Sequence, residues 1–274
     1  MDRRLTPANG RVAHSALRGS VAAEHYTDGI WRRVVTPLAE VLLSPDGDRD
    51  RQLLMGARVL VLEDAAGHAF AQCERDGHCG YIPAASLGED AEATHWVSAP
   101  AAHLYPAQNI KKRQLATLSL GARLTIVADH GRFLETDTGA FIIARHTRSL
   151  NDPASDPVTV AEAFLGTPYL WGGNSRDGID CAGLTQAAHL ACGIPCRSDS
   201  DLQEESFGRP IGADDPLRRG DLIFWKGHVA MMVDGETMIH ANGHYMAVTY
   251  ERYDAAITRI LVQGGGPVTA RKRL

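Results

Sequence analysis

Nowhere in the 274 residues do apolar side chains run unbroken for the roughly 18 positions that a membrane-spanning helix needs. Arg3 and Arg4 near the N-terminus are not followed by an apolar h-region, because His14, Arg18, Glu24 and His25 interrupt it, which argues against a secretory signal. These two absences predict a soluble, cytoplasmic chain with no membrane partner. Positive charge is also sparse. Lys and Arg total 28 against 33 Asp and Glu, for a net charge of −5, and the longest basic runs are Lys111-Lys112-Arg113 and Arg271-Lys272-Arg273. With no basic stripe to contact phosphates, nucleic acid is excluded as a partner. Cysteine is scarce: the five are Cys73, Cys79, Cys181, Cys192 and Cys196. An odd count without a signal fits a reducing compartment, and no paired CxxC motifs close a zinc site. Small buried thiols are expected, with neither metal nor cofactor.

What is present is a soluble globular composition, 44% hydrophobic and 22% charged, in a chain long enough for about two domains of ordinary size. An internal repeat is visible. Gly56-Ala57-Arg58-Val59-Leu60-Val61 answers Gly121-Ala122-Arg123-Leu124-Thr125-Ile126, and Gly80-Tyr81-Ile82 answers Gly139-Ala140-Phe141-Ile142. Each unit holds short β-patterned runs punctuated by Gly, Asp and Pro, as a small barrel would. Residues 33–148 resemble tandem bacterial SH3-like domains, divided here as 33–92 and 93–148. Residues 1–32 form an N-terminal extension with a helix-compatible patch. Residues 149–157, rich in Pro, Asp, Asn and Ser, read as a linker.

After the linker, Val158, Ala161, Phe164 and Leu165 make one apolar helix face, and Gly166-Thr167-Pro168 ends it. Asp180 is placed as a helix cap, with Leu184, Ala187, Ala188 and Ala191 recurring at helical spacing behind it. Cys181 therefore falls in the first helical turn, where the dipole favours a thiolate. A lone cysteine there would read as a buried structural thiol. Two histidines on short strands alter that. His228 opens the run Val229-Ala230-Met231-Met232-Val233, and His240 sits in Met238-Ile239-His240-Ala241. Strand faces alternate, so a two-residue turn at Asp234-Gly235 would separate them, whereas the odd turn Asp234-Gly235-Glu236 puts both on one face. In that geometry Cys181 is the nucleophile, His228 the base that takes its proton, and His240 the group that orients His228.

Residues from about 158 to 262, within a third domain taken as 158–274, resemble the NlpC-type, papain-like cell-wall cysteine peptidases. The resemblance rests on Gly166-Thr167-Pro168-Tyr169-Leu170-Trp171-Gly172-Gly173, Gly178-Ile179-Asp180-Cys181-Ala182-Gly183-Leu184, Gly220-Asp221-Leu222-Ile223-Phe224-Trp225, Gly227-His228-Val229-Ala230 and Ile239-His240-Ala241. The expected fold class is α+β: two small SH3-like β-barrels, then a papain-like domain with helices packed on an antiparallel sheet. The resemblance assigns nucleophile, base and orienter to Cys181, His228 and His240. It sets Tyr169 beside an oxyanion hole and places Trp171 and Asp180 in contact with substrate. With SH3-like domains in front, it implies a cytoplasmic recycling endopeptidase that cuts L-Ala-γ-D-Glu-meso-diaminopimelate, a small muropeptide with a free L-alanine. Tyr81 and Glu40 are the candidates for binding that amine. One departure stands out. The family usually has serine after the nucleophile, to hold the D-glutamate carboxylate, and Ala182 replaces it here; Ser200 or Arg197 is the candidate substitute. Two alternatives keep the fold but change the activity: a catalytically silent protein that binds wall peptides, and an amidase or acyltransferase acting on another substrate.

Overall fold

The computed structural model describes residues 1–212 and 214–274, which form two compact units, Met1–Asp152 and Pro153–Leu274. Among the described residues, no helix is long and apolar enough to cross a membrane.

In the first unit, strand Leu38–Leu42 pairs with Arg49–Leu54 on one side and Cys79–Pro83 on the other. His68–Cys73 and Arg58–Ala65 follow in the same sheet. The order recurs around Ala101–Tyr105, flanked by Ala116–Ser119 and Phe141–Ile143 and continued by Phe133–Thr136 and Ile126–Asp129. The repeat in sequence is thus a repeat in strand order. Each set has its own core, Val34, Val41, Leu53, Val59 and Ile82 in one and Leu104, Leu118, Leu134 and Ile142 in the other. Gly56 and Gly121 lead the two repeated runs at φ 78° and 91°, a region that glycine enters without strain. Gly56 also has no room for a side chain, since an added Cβ would lie 2.2 Å from the Arg123 carbonyl oxygen.

Residues alternate in face along Arg58–Leu62. Both faces are covered. Val59 joins the inner core, while Leu60 and Leu62 pack with Val12, Phe70 and Cys79 in a second cluster. Val12 comes from the N-terminal extension, whose helix-compatible patch forms parallel strands Val12–His14 and His25–Thr27 around a single 3₁₀ turn, Ser15–Leu17. Burial of Val12 and Ala13 outweighs the weak helical propensity of so short a segment.

The second unit is built on an antiparallel sheet. Its strand order is Arg209–Pro210, Ala270–Arg273, Leu222–Trp225, His228–Met232, Thr237–Asn242 and Ala247–Arg252. Helix α1 (Pro157–Glu162) is capped by Asp156, whose carboxylate accepts from the amides of Val158 and Thr159. It is shorter than the apolar spacing to Leu165 suggests. Ala163, Phe164 and Leu165 each donate to the residue three before, and Gly166 at φ 78° ends the turn. Helix α2 (Cys181–Ala191) lies against α1 and against the His228–Met232 and Thr237–Asn242 strands. Helix α3 (Ser200–Ser206) touches α2. Helix α4 (Tyr253–Val262) sends Ala256 and Ile260 into a core with Ile223, Trp225, Ala230, Met232 and Met238.

Candidate active site

Cys181 is the first residue of α2, and its surroundings are fixed by close backbone approaches. Asp180 Oδ1 accepts from the Gly183 amide at 2.6 Å, capping the helix, and Oδ2 accepts from the Gly172 amide at 3.0 Å. The segment before the helix runs beside Ile179. Ile179 N donates to Pro168 O and Leu170 N donates to Ile179 O, at 3.0 and 3.1 Å. Side chains are excluded along this seam. A Cβ on Gly173 would lie 2.5 Å from Gly178 O, and one on Gly183 would lie 2.5 Å from Gly173 O. The glycines of this stretch are therefore required by close packing of backbone on backbone.

That seam places Tyr169 beside Cys181. Burial, then the nearby Cys181 and Asp180, push the Tyr169 phenol above its ordinary range, so it remains an O–H donor. Its amide donates to Met246 O at 2.9 Å, tying the loop to the turn between the last two strands. Trp171 is 69% exposed, a large apolar ring left in solvent.

The two histidines meet. Met231 pairs with Ile239 and Met232 with Met238, and Val233 N donates to Thr237 O at 2.8 Å, so the turn is Asp234-Gly235-Glu236. The odd turn brings His228 and His240 onto one face, and His228 Nε2 lies 2.9 Å from His240 Nδ1. Asp234 Oδ1 accepts from the amides of Glu236 and Thr237, which stabilises a turn of this length. Burial, and then the neighbouring His240, lower the His228 pKa to about 3; burial likewise lowers that of His240. Both imidazoles are neutral near pH 7.

The chain carries an NlpC/P60 domain. The NlpC/P60 family model matches residues 166–262, and a bacterial dipeptidyl-peptidase Sh3 domain matches residues 42–87. A gamma-D-glutamyl-L-lysine dipeptidyl-peptidase of Bacillus cereus is 29% identical over 251 residues, covering 77% of this chain and 72% of that protein. Dipeptidyl-peptidase 6 of Lysinibacillus sphaericus is 37% identical over 102 residues, 36% of each chain, so this chain spans about a third of that relative. A Bacillus subtilis gamma-D-glutamyl-L-lysine dipeptidyl-peptidase is 30% identical over 159 residues, about half of either protein. The crystal structure of an NlpC/P60 family protein from Bacillus cereus superposes with a TM-score of 0.74 at 22% identity, covering 89% of this chain and 99% of that one, which establishes a shared fold.

Within the NlpC/P60 domain, the remaining expected contacts divide. Ser200 opens α3 behind the Asp199 cap. Ala182 is buried, and its carbonyl is held by the buried Gln203, whose Nε2 also donates to Arg197 O, both at 2.9 Å. Gln203 thus ties Ala182 to Arg197, and it gave no signal in the sequence beyond a polar residue on a short helix. Glu251 and Arg259 were also missed. Glu251 Oε2 stands 3.1 Å from His240 Nε2, close but bent from the line of a hydrogen bond. Arg259 grips both Glu251 oxygens, Nε to Oε1 at 2.8 Å and Nη2 to Oε2 at 2.7 Å. Burial opposes ionisation of Glu251, but Arg259 and then His240 outweigh it and bring the carboxyl to about 2. A single carboxylate in the strand Ala247–Arg252 was the available signal. Tyr81 and Glu40 belong to the first unit. Tyr81 packs on Phe70 at 5.2 Å between ring centroids, and Glu40 is engaged by Arg49 and Gln52. Among the described residues, no three His, Cys, Asp or Glu side chains form a metal-sized group.

Proposed function

We propose that the chain is a cysteine endopeptidase that hydrolyses the bond between γ-D-glutamate and a diamino acid in small peptidoglycan stem peptides bearing a free N-terminal L-alanine. The observation that carries this reading is the 2.9 Å contact between His228 and His240, on strands that pack against the helix opening with Cys181. In the first step the Cys181 sulfur bonds to the γ-carbonyl carbon while His228 Nδ1 takes the thiol proton. The developing oxyanion is met by the Cys181 amide, at the positive end of the helix dipole, and by the Tyr169 hydroxyl. Collapse breaks the C–N bond, His228 returns its proton to the leaving amine, and a thioester remains. Water, deprotonated by His228, then cleaves the thioester and restores the thiol.

Several features favour a peptide substrate of this kind. Two of the relatives, from Bacillus cereus and Bacillus subtilis, are gamma-D-glutamyl-L-lysine dipeptidyl-peptidases, and exposed Trp171 offers an apolar wall for a short peptide. We read residues 93–148 as a second SH3-like barrel, on the recurring strand order, and the C-terminal unit as papain-like. Asp180, Ser200, Tyr169 and Trp171 are assigned to the peptide and Tyr81 to the free amine, within a cytoplasmic recycling role. The test is turnover of L-Ala-γ-D-Glu-meso-diaminopimelate and of its L-lysine counterpart, each with free and N-acetylated alanine, beside Cys181→Ala. Cleavage of free-amine peptides alone, abolished in Cys181→Ala, is expected. Failure to cut any of them sinks the substrate, and equal cleavage of acetylated peptide sinks the amine requirement.

A further inference from the structure

A histidine in the orienting position has an ambiguity that asparagine does not. A neutral imidazole carries one donor and one acceptor nitrogen, and either can hold the proton. For His228 Nδ1 to accept from the thiol, its Nε2 must carry the hydrogen and donate to His240 Nδ1. His240 must then be protonated at Nε2. The opposite tautomer of His240 reverses both links and leaves His228 with an N–H facing the sulfur, where it cannot act as a base. Nothing in the His228–His240 contact selects between the two.

The selection comes from behind. His240 is 1% exposed, and its Nε2 lies 3.1 Å from Glu251 Oε2, off the line of a hydrogen bond but well within reach of the carboxylate's charge. A carboxylate accepts only, so it favours hydrogen on the nitrogen that faces it. Arg259 clamps that carboxylate through two parallel bonds, the stronger, geometrically specific form of the Arg–carboxylate pair. Arg259 is fixed in turn by Nη1 donating to Gln263 Oε1 at 3.0 Å and by Tyr245, whose ring centre lies 5.9 Å from the guanidinium. The pair has a further effect. An acid held this strongly does not capture the His240 proton, so it polarises the imidazole without ionising it.

We propose that Glu251, held by Arg259, is a positioning residue that fixes His240 as its Nε2–H tautomer and so leaves His228 Nδ1 as the proton acceptor for Cys181. This rests on the reading of Cys181, His228 and His240 as the catalytic set. Glu251 touches no substrate; it acts two imidazoles away from the sulfur. Replacement by glutamine keeps the shape but introduces an NH₂ that can donate to His240 Nε2, which inverts the selection.

The test is ¹⁵N NMR of the full chain labelled at histidine, near pH 7.5, with His240 assigned through His240→Asn. The expected wild-type spectrum shows His240 protonated at Nε2, and Glu251→Gln moves that proton to Nδ1 while kcat falls about 10- to 100-fold. In a His240→Asn background, whose side chain has no tautomer to choose, Glu251→Gln should change kcat less than twofold. Nδ1 protonation in the wild type would overturn the proposal, as would an unchanged tautomer in folded Glu251→Gln or equal losses in both backgrounds. If Glu251→Gln does not fold, the wild-type spectrum decides. The tautomer readout needs no substrate, so a chain inactive on every stem peptide can still support or refute the role of Glu251.

Discussion

His228 Nε2 and His240 Nδ1 lie 2.9 Å apart although twelve positions separate them in the chain. The contact depends on the parity of one turn. Deleting Gly235 would shift the register by a residue and send one of the histidines to the opposite face. If Cys181, His228 and His240 act as a unit, their losses do not add. Cys181→Ala and His228→Ala should each lower kcat by roughly 10³-fold or more, and the double variant should be no worse than either single one. His240→Ala should lose less, because it removes orientation and leaves the base. Steady-state kinetics with thermal unfolding as a control would check this; additive losses would break the set.

Asp180 holds two backbone segments at once, the α2 N-terminus through Gly183 and the preceding loop through Gly172. Asp180→Ala is expected to cost about 1–3 kcal/mol, the loss of a helix cap plus a buried amide's partner. Asp180→Asn keeps one acceptor oxygen and should cost less. Urea unfolding of both variants separates this structural role from substrate binding, which would appear in KM with stability unchanged.

Gly173 faces the Gly178 carbonyl too closely for any side chain. Gly173→Ala must push the loop from the helix start, at a cost of roughly 1–3 kcal/mol. Because the same seam carries Tyr169, activity should fall further than stability alone explains. Wild-type kcat in the folded variant would show that the seam does not set the site.

Acid should weaken the fold through its buried histidines. Burial lowers the pKa of His228 to about 3, of His189 to about 4, and of His240 below its ordinary value. Unfolded, each binds a proton near pH 6.5, so below that the unfolded state holds more protons than the folded one. Stability is therefore complete above about pH 7 and is lost as pH falls from about 6.5 to about 3. Glu251, held near 2 against an ordinary 4.5, adds a loss below about pH 4.5 in the same direction. The urea midpoint should drop over this range, and His189→Leu should make the drop shallower. A midpoint flat from pH 7 to pH 5 would contradict the assignment of neutral buried imidazoles.

Much of the site was legible because its signals are local. A capping aspartate, a thiol after it and apolar residues at helical spacing specify α2 with Cys181 at its start. Alternation plus turn length specify which strand residues share a face, so the His228–His240 contact follows from counting. The repeated glycine-led runs likewise foretold a repeated strand order. The N-terminal extension was not legible, because Val12 is ordered by packing on Leu60, Leu62 and Phe70, some fifty residues distant in sequence.

By itself, then, the sequence determined the place of Cys181 on its helix and the shared face of the two histidines, both consequences of backbone periodicity and turn chemistry. Tertiary structure alone decided what stands behind them. Glu251 reaches His240 because Met238 pairs with Glu251 and Thr237 with Arg252 across neighbouring strands, and Arg259 reaches Glu251 because α4 folds back beside that strand. Strand register and helix docking are set by the whole core's packing, which no local stretch of residues encodes.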